Sequence, residues 1–90
     1  MPESIPHEDF RWDDLRLFLV AQRTGSLTRA AARLGLNQST TSRRLKAFEH
    51  QIGGRLFDRT PEGLSLTELG HKLLVPAERA EAAALEVTRL

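Results

Sequence analysis

Hydrogen-bonding side chains are concentrated in a short stretch near the middle of the sequence. The stretch contains Gln38, Ser39, Ser42 and Arg43. On a helix, the pairs 38/42 and 39/43 would each project on one side, because residues four apart are neighbours there. Glutamine can form two hydrogen bonds with adenine and arginine two with guanine, whereas serine can bond to a base or a phosphate. We therefore predict that these residues contact bases in the major groove of DNA.

Positive charge is also concentrated around this stretch. Residues 29–59 carry seven basic and two acidic side chains, an excess of five, although the whole chain has a net charge of only +1. Binding to a polyanion requires such an excess, but a solvated, arginine-rich helix face would show the same count. Under the first interpretation, contacts with the DNA backbone come from neighbouring residues, namely Arg29, Thr40, Arg44 and Lys46.

Residues that could support catalysis or metal binding are scarce. The chain has no cysteine, which excludes a disulfide framework and thiolate metal sites and fits a reducing cytoplasm. His7, His50 and His71 lack metal-ligand spacing, and a Ser42, Glu49 and His50 triad fails because residues 42 and 50 are two turns apart on one helix. We expect no catalytic activity, no metal and no cofactor. No apolar run approaches the ~20 residues that span a bilayer, so we expect a cytoplasmic protein without membrane contact.

Helical segments are predicted on both sides of the hydrogen-bonding stretch and through it. A first apolar pattern begins at Trp12 and stops at Gly25, and a second, short helix is capped by Ser26 and ends at Gly35. Asn37 caps a third helix over residues 38–51. Its inner side is an apolar stripe formed by Thr41, Leu45, Phe48 and Ile52. Its opposite side is polar and carries the predicted base contacts.

A β-hairpin and a long helix are predicted after the third helix. Two glycines at 53–54 end that helix, and strands over 55–59 and 63–66 are joined by a turn. A final helix, capped by Thr67 and kinked at Pro76, continues to Leu90 without a stop signal, as if cut from a longer protein. Its apolar stripe is too large for so small a domain to bury. We therefore expect a second copy of the chain to cover Leu69, Leu73, Ala77, Ala80, Ala84 and Val87.

This order of elements is that of a winged helix-turn-helix. We predict a mainly α fold with a three-helix core and a β-hairpin wing, followed by a long linker helix. Residues 1–11 are expected to form a flexible N-terminal arm, residues 12–66 the winged helix-turn-helix, and residues 67–90 the linker and dimerisation helix. The expected partners are double-stranded DNA and, as a homodimer, a second copy of the chain.

The segment from Leu15 to about Ala80 resembles the N-terminal domain of LysR-type transcriptional regulators. Residues 24–34 are similar to the family pattern G-S-[FL]-[ST]-x-A-A-x-x-L, and residues 38–45 to Q-x-x-x-S-R-x-[IL]. Residues 49–59 are similar to E-x-x-L-G-x-x-L-F-x-R, and residues 66–70 to L-T-x-A-G. The segments occur in order and at the family's spacings.

The resemblance implies a third helix in the major groove, a wing against the DNA backbone or minor groove, and a long linker helix that dimerises. It places Gln38, Ser42 and Arg43 at groove-contacting positions, Thr28 at a phosphate-contacting position, and Arg59 at the basic position of the wing. The chain departs from the family at 39–40, where Ser-Thr replaces the common Pro-Ala, and at 54–55, where Gly-Arg replaces Val-Pro. The family's effector-binding domain is absent from these 90 residues, so we expect a small-molecule effector to act only through a domain not present here.

Two other functions are compatible with a winged helix. A protein-interaction module would present an apolar or aromatic outer face on the third helix, whereas this face carries glutamine, serine, arginine and lysine. A non-specific architectural DNA binder would bind random and selected sequences with similar affinity. We favour sequence-specific recognition of a short inverted repeat by a dimer.

Overall fold

Four helices and one β-hairpin form the domain in the computed structural model, which describes residues 10–90. The predicted flexible arm lies outside the described residues, apart from its last two, and so does His7. The elements are α1 (Trp12–Thr24), α2 (Leu27–Leu34), α3 (Gln38–Ile52), β1 (Phe57–Thr60), β2 (Gly63–Leu66) and α4 (Glu68–Thr88). This order confirms the predicted mainly α, winged helix-turn-helix fold with a long C-terminal helix.

Short polar side chains begin three of the helices. Ser26, Asn37 and Thr67 each accept a hydrogen bond from the backbone N–H three residues later, at 3.2, 2.8 and 3.0 Å. Such bonds satisfy N–H groups that have no partner inside the helix. Gly25 ends α1 with a φ of 67°, a left-handed conformation that favours glycine. The predicted ends of the first two helices and the start of the third are confirmed.

The core lies where the inner sides of α1 and α3 meet the start of the wing. Phe18 of α1 is fully buried, and its ring centroid lies 5.4 Å from that of Phe57 in β1. The predicted inner stripe of α3 is confirmed by the burial of Thr41, Leu45 and Phe48. Thr41 is 0% exposed, and its hydroxyl donates to a backbone carbonyl one turn earlier at 2.9 Å, which satisfies the polar atom inside the core.

The wing is an antiparallel pair in which Phe57 lies opposite Leu66 and Thr60 opposite Gly63. The predicted start of its first strand at residue 55 is wrong, because β1 begins at residue 57. The N–H and C=O of Leu56 do not join the hairpin: the first donates to a side chain of α3, and the second accepts from the backbone before α4. The second strand has the predicted bounds.

The wing is attached to the turn between α1 and α2. The N–H of Leu64 donates to the C=O of Gly25 at 3.0 Å. Gly63 has a φ of 127°, and a Cβ added to it would overlap the same carbonyl oxygen. Glycine is therefore required at this contact, and the hairpin is held against the helices at its second strand.

The predicted apolar stripe of α4 faces the domain's own core. Ala77 is 0% exposed, and Leu69, Leu73 and Ala80 pack against the same core. The prediction that one domain cannot bury this stripe is wrong for Ala77 and only partly right for Leu69, Leu73 and Ala80, which are half-buried because α4 lies along α1 and β2. Cover by a second copy stays a prediction. Ala84 is half-buried, and Val87 is 67% exposed.

Pro76 does not interrupt α4, which runs on both sides of it from residue 68 to residue 88. A kink at this residue stays a prediction. An ion pair ties the helix to α1: the Arg23 guanidinium donates to both carboxylate oxygens of Glu81, at 2.7 and 2.6 Å. The hydrogen bonds lower the pKa of Glu81 and raise the pKa of Arg23.

The ion pair predicts a pH-dependent contribution to stability. The pKa of Glu81 is lower in the folded protein than its ordinary value of 4.5. The ion pair therefore stabilises the fold fully above pH 4.5, and this stabilisation is lost as the pH falls through the pKa that Glu81 has in the folded protein. We expect Glu81→Gln to lower the free energy of unfolding at pH 7 by about 0.5 kcal/mol, since both side chains are partly exposed. Urea denaturation between pH 3 and 7 measures the difference, and exposed Glu86→Gln is the control. Equal curves for Glu81→Gln and the parent would contradict the prediction.

Close packing predicts a second effect on stability. A Cβ added to Gly70 would overlap the C=O of Leu56 and approach Leu66 Cδ2 to 2.8 Å. We expect Gly70→Ala to destabilise the domain by about 1–3 kcal/mol, although alanine normally favours a helix over glycine. Urea denaturation tests this, with Ala47→Gly at an exposed position of α3 reporting the ordinary effect of helix propensity. A stability equal to or above the parent's would show that α4 can move aside.

Candidate nucleic-acid interface

The polar side of α3 faces away from the core. Burial of its inner stripe leaves Gln38, Ser39, Arg43 and Lys46 exposed, whereas Ser42 is half-buried. Arg43 has no hydrogen bond or ion pair with another residue in the described part of the chain. Helical geometry places Ser39 and Arg43 together at the centre of the outer face, one turn apart. This face therefore presents free donors and acceptors near the N-terminal end of α3.

Two predicted contacts at the start of α3 also take part in its cap. The hydroxyl of Ser39 donates to Asn37 Oδ1 at 2.9 Å, and the backbone N–H of Thr40 donates to the same oxygen at 2.8 Å. Ser39 keeps its lone pairs for accepting a hydrogen bond, since only its hydrogen is engaged. Thr40 is half-buried. Both residues thus support the helix start, whether or not they touch DNA.

A groove separates α3 from the wing. Ser42 and Lys46 line it from the helix, and Arg55 and Arg59 line it from the wing side. Arg59 is exposed and forms no ion pair within residues 10–90, because Asp58 pairs instead with Arg55 at 3.3 Å. Within the described residues, neither Asp58 nor Glu62, the acids nearest to Arg59 in the sequence, forms an ion pair with it. The groove has the positive charges that a phosphate backbone attracts.

A second concave surface lies where the helix starts meet the wing tip. Thr28, Arg29, Gln38 and Arg59 all line it, although they come from α2, α3 and β1. The N-terminus of α2 adds partial positive charge from its unpaired N–H groups. The fold thus brings together residues that the sequence placed on separate elements, including two arginines, with Glu62 also in the lining.

Arg44 points elsewhere. It lies close enough to Asp14 of α1 to affect the titration of its carboxyl. Burial raises the pKa of Asp14, and the charges of Arg44 and Arg11 offset only part of that rise. Arg44 lines neither concave surface. Arg44 lies on the side of α3 that faces α1. Its contact with the DNA backbone stays a prediction.

Two lining residues were missed by the sequence analysis. The sequence patterns exclude His50 as a metal ligand and as part of a triad and predict Arg55 in a strand, whereas both residues line the groove between α3 and the wing. His50 could have been found from its spacing, because it follows Lys46 by four residues. The position of Arg55 had no such signal, since it depends on how the loop before β1 folds back on α3.

Other kinds of site find little support in this part of the chain. Across residues 10–90, no three histidine, aspartate or glutamate side chains are grouped so that they could hold a metal ion. None of the described helices has the length and apolar character needed to cross a membrane.

Sequence comparisons identify the family. Residues 12–71 match the profile described as "Bacterial regulatory helix-turn-helix protein, lysR family". The HTH-type transcriptional regulator DgdR of Burkholderia cepacia is 45% identical over 67 residues, which cover 74% of this chain and 23% of DgdR. The chain thus spans less than a quarter of the length of this curated relative.

Solved structures agree with this assignment. The crystal structure of the CbnR DBD–DNA complex is 31% identical, with a TM-score of 0.78, and covers 89% of this chain and 93% of that one. VV2_1132, a LysR family transcriptional regulator, is 35% identical with a TM-score of 0.80, covering 92% of this chain and 28% of that one. This chain belongs to the LysR family of bacterial regulatory helix-turn-helix proteins.

Proposed function

We propose that this domain binds double-stranded DNA in a sequence-specific way, as the DNA-binding domain of a bacterial transcriptional regulator. In this proposal α3 is the recognition helix in the major groove, and the wing lies against the backbone or the minor groove. The observation that carries it is the polar outer face of α3, where the Arg43 side chain has no partner within the described residues, beside a groove lined by Lys46 and Arg59. The similar CbnR domain was crystallised as a DNA complex.

Two sets of residues contribute to DNA binding in different ways. Gln38, Ser39, Ser42 and Arg43 are the base-contacting set, and each good bidentate contact discriminates by ~1–3 kcal/mol against the wrong base. The backbone-contacting set consists of Thr28, Arg29, Thr40, Arg44, Lys46 and Arg59. Neutralised phosphates release counterions, so this set makes affinity depend on salt. The first set accounts for specificity and the second for most of the sequence-independent affinity.

We also propose that the domain acts as a homodimer through α4. The side of α4 turned away from the core carries Val75, which is 52% exposed, together with exposed Ala82 and Ala83. Val75 and Ala82 lie seven residues apart on one face, together with the exposed Arg79 and Glu86, and the small side chain of Ala82 allows a second helix to approach there. Of the stripe first predicted, Ala84 and Val87 keep surface for a partner, while Ala77 is already buried. A two-fold dimer would present two recognition helices to one face of DNA.

The remaining parts of the proposal concern the whole regulator. Because the chain spans 23% of the length of a curated relative, a small-molecule effector would bind through another domain. Binding to the bacterial chromosome would place the protein in the cytoplasm, with the nucleoid. The relatives are transcriptional regulators, which favours a protein without catalytic activity of its own.

Binding measurements should separate base contacts from backbone contacts. An operator is first selected from a random duplex library, and affinities for it and for random duplex are measured across a salt series. We expect Arg43→Ala to weaken operator binding about 5- to 150-fold and to leave the random-duplex salt slope unchanged. Arg59→Ala should weaken both and lower the slope by about 0.9. Arg16→Ala is the charge-matched control, because Arg16 is an exposed residue of α1 that lines neither concave surface.

Two results would contradict this proposal. If the parent domain binds no duplex at low salt, the polar face of α3 serves a protein partner instead. If it binds selected and random duplexes equally, it is an architectural binder without sequence preference.

Self-association can be measured without DNA. We expect Ala82→Lys to raise the dimer dissociation constant about tenfold or more, because the longer side chain blocks the close approach of two α4 helices. Its charge suits Glu78 and Glu86, four residues away on either side, so the helix itself is kept. Sedimentation equilibrium provides the measurement, and Ala32→Lys on exposed α2 is the matched control. A parent that stays monomeric, or equal constants for both variants, would contradict dimerisation through this face.

A further inference from the structure

The backbone of one buried residue joins α3, the wing and α4. Leu56 is 0% exposed, and its N–H donates to Glu49 Oε2 at 2.7 Å. Its C=O accepts from the backbone N–H of Thr67 at 3.0 Å. The hydroxyl of Thr67 donates to the C=O of Arg55 at 2.6 Å. Both polar groups of Leu56 are therefore satisfied, one from α3 and one from the start of α4.

The surrounding contacts leave this residue little freedom. Gly53 and Gly54 both donate their N–H groups to the C=O of Glu49, at 2.9 and 3.0 Å. Gly70 of α4 approaches the C=O of Leu56 too closely for a Cβ to fit. Glu49 thus holds the loop over residues 53–56 with its main chain at one end and its carboxylate at the other.

The negative charge of Glu49 is unfavourable in a groove that would face DNA phosphates. Its carboxylate lies in the groove between α3 and the wing, whose lining also includes Lys46, Arg55 and Arg59. A negative charge in a groove that faces phosphates opposes DNA binding through repulsion. The hydrogen bond that the Glu49 side chain accepts from Leu56 gives this carboxylate a structural role in spite of its charge.

We propose that Glu49 is a positioning residue for DNA binding, which fixes the wing relative to the recognition helix. This inference rests on the proposed function. Arg59 follows Leu56 by three residues, about 10 Å along an extended strand, so a shift at Leu56 is passed to the Arg59 guanidinium. Glu49 acts through Arg59 and needs no contact with DNA.

Two substitutions separate the hydrogen bond from the charge. Glu49→Gln keeps an oxygen acceptor and removes the charge; Glu49→Met keeps the length and helix propensity but removes the acceptor. We expect Glu49→Gln to bind duplex at least as tightly as the parent, and Glu49→Met about tenfold more weakly. Asp58→Ala is the matched control, because this acid lines the same groove without bonding to a backbone N–H. It should not weaken binding.

A double-mutant cycle with Arg59→Ala tests whether Glu49 acts on DNA binding through Arg59. If Glu49 positions Arg59, then Arg59→Ala costs much less affinity in the Glu49→Met background than in the parent. Additive losses, or Glu49→Gln as weak as Glu49→Met, would overturn the inference. Circular dichroism at the assay temperature reports folding; if Glu49→Met does not fold, Glu49→Ala is tested in the same cycle. A parent that fails to bind any duplex removes the proposed function itself, whereas additive losses in a parent that binds remove only the role of Glu49.

Discussion

A helix that is to enter a DNA groove can be held by the rest of the domain along one narrow side only. In α3 that side is a stripe of three buried residues, Thr41, Leu45 and Phe48, against which α1 and α2 pack. The stripe is short, so the ends of the helix have to be secured by other means. A side-chain cap at Asn37 secures the first end, and the bonds of Glu49 to the following loop secure the second. These supports engage the polar outer face only at Ser39, whose hydroxyl donates to Asn37, and they leave the Arg43 side chain free.

Local chemistry explains which parts of the fold could be predicted from the sequence. Capping residues such as Ser26 and Asn37 accept hydrogen bonds from N–H groups three residues later in the chain. A left-handed glycine such as Gly25 ends the helix at its own position. Such features can be read from neighbouring residues. The polar face of α3 could also be predicted from nearby residues, because helical periodicity assigns the inner and outer sides of the helix.

The errors arose where distant segments decide the outcome. The first wing strand starts late because Leu56 is bonded to Glu49, seven residues earlier, and to the residue before α4. The stripe of α4 was assigned to a partner because periodicity shows that a helix has an apolar side, but not which surface covers it. The joint lining of one surface by Arg29 and Arg59 likewise depends on the attachment of the wing to the turn at Gly25.

The attachment of α4 has a mechanical consequence. The helix is bonded to α1 by the pair of Arg23 and Glu81 and to the loop before the wing by Thr67, so it is tied to the helix-turn-helix at two points. Its 21 residues correspond to a rod of about 31 Å. In a dimer joined through α4, a change of about 10° in the angle between two such rods would change the separation of their far ends by about 5 Å, more than the ~3.4 Å between successive base pairs. In such a dimer, a small rotation at the two-fold axis would thus change the separation of the two recognition helices along DNA.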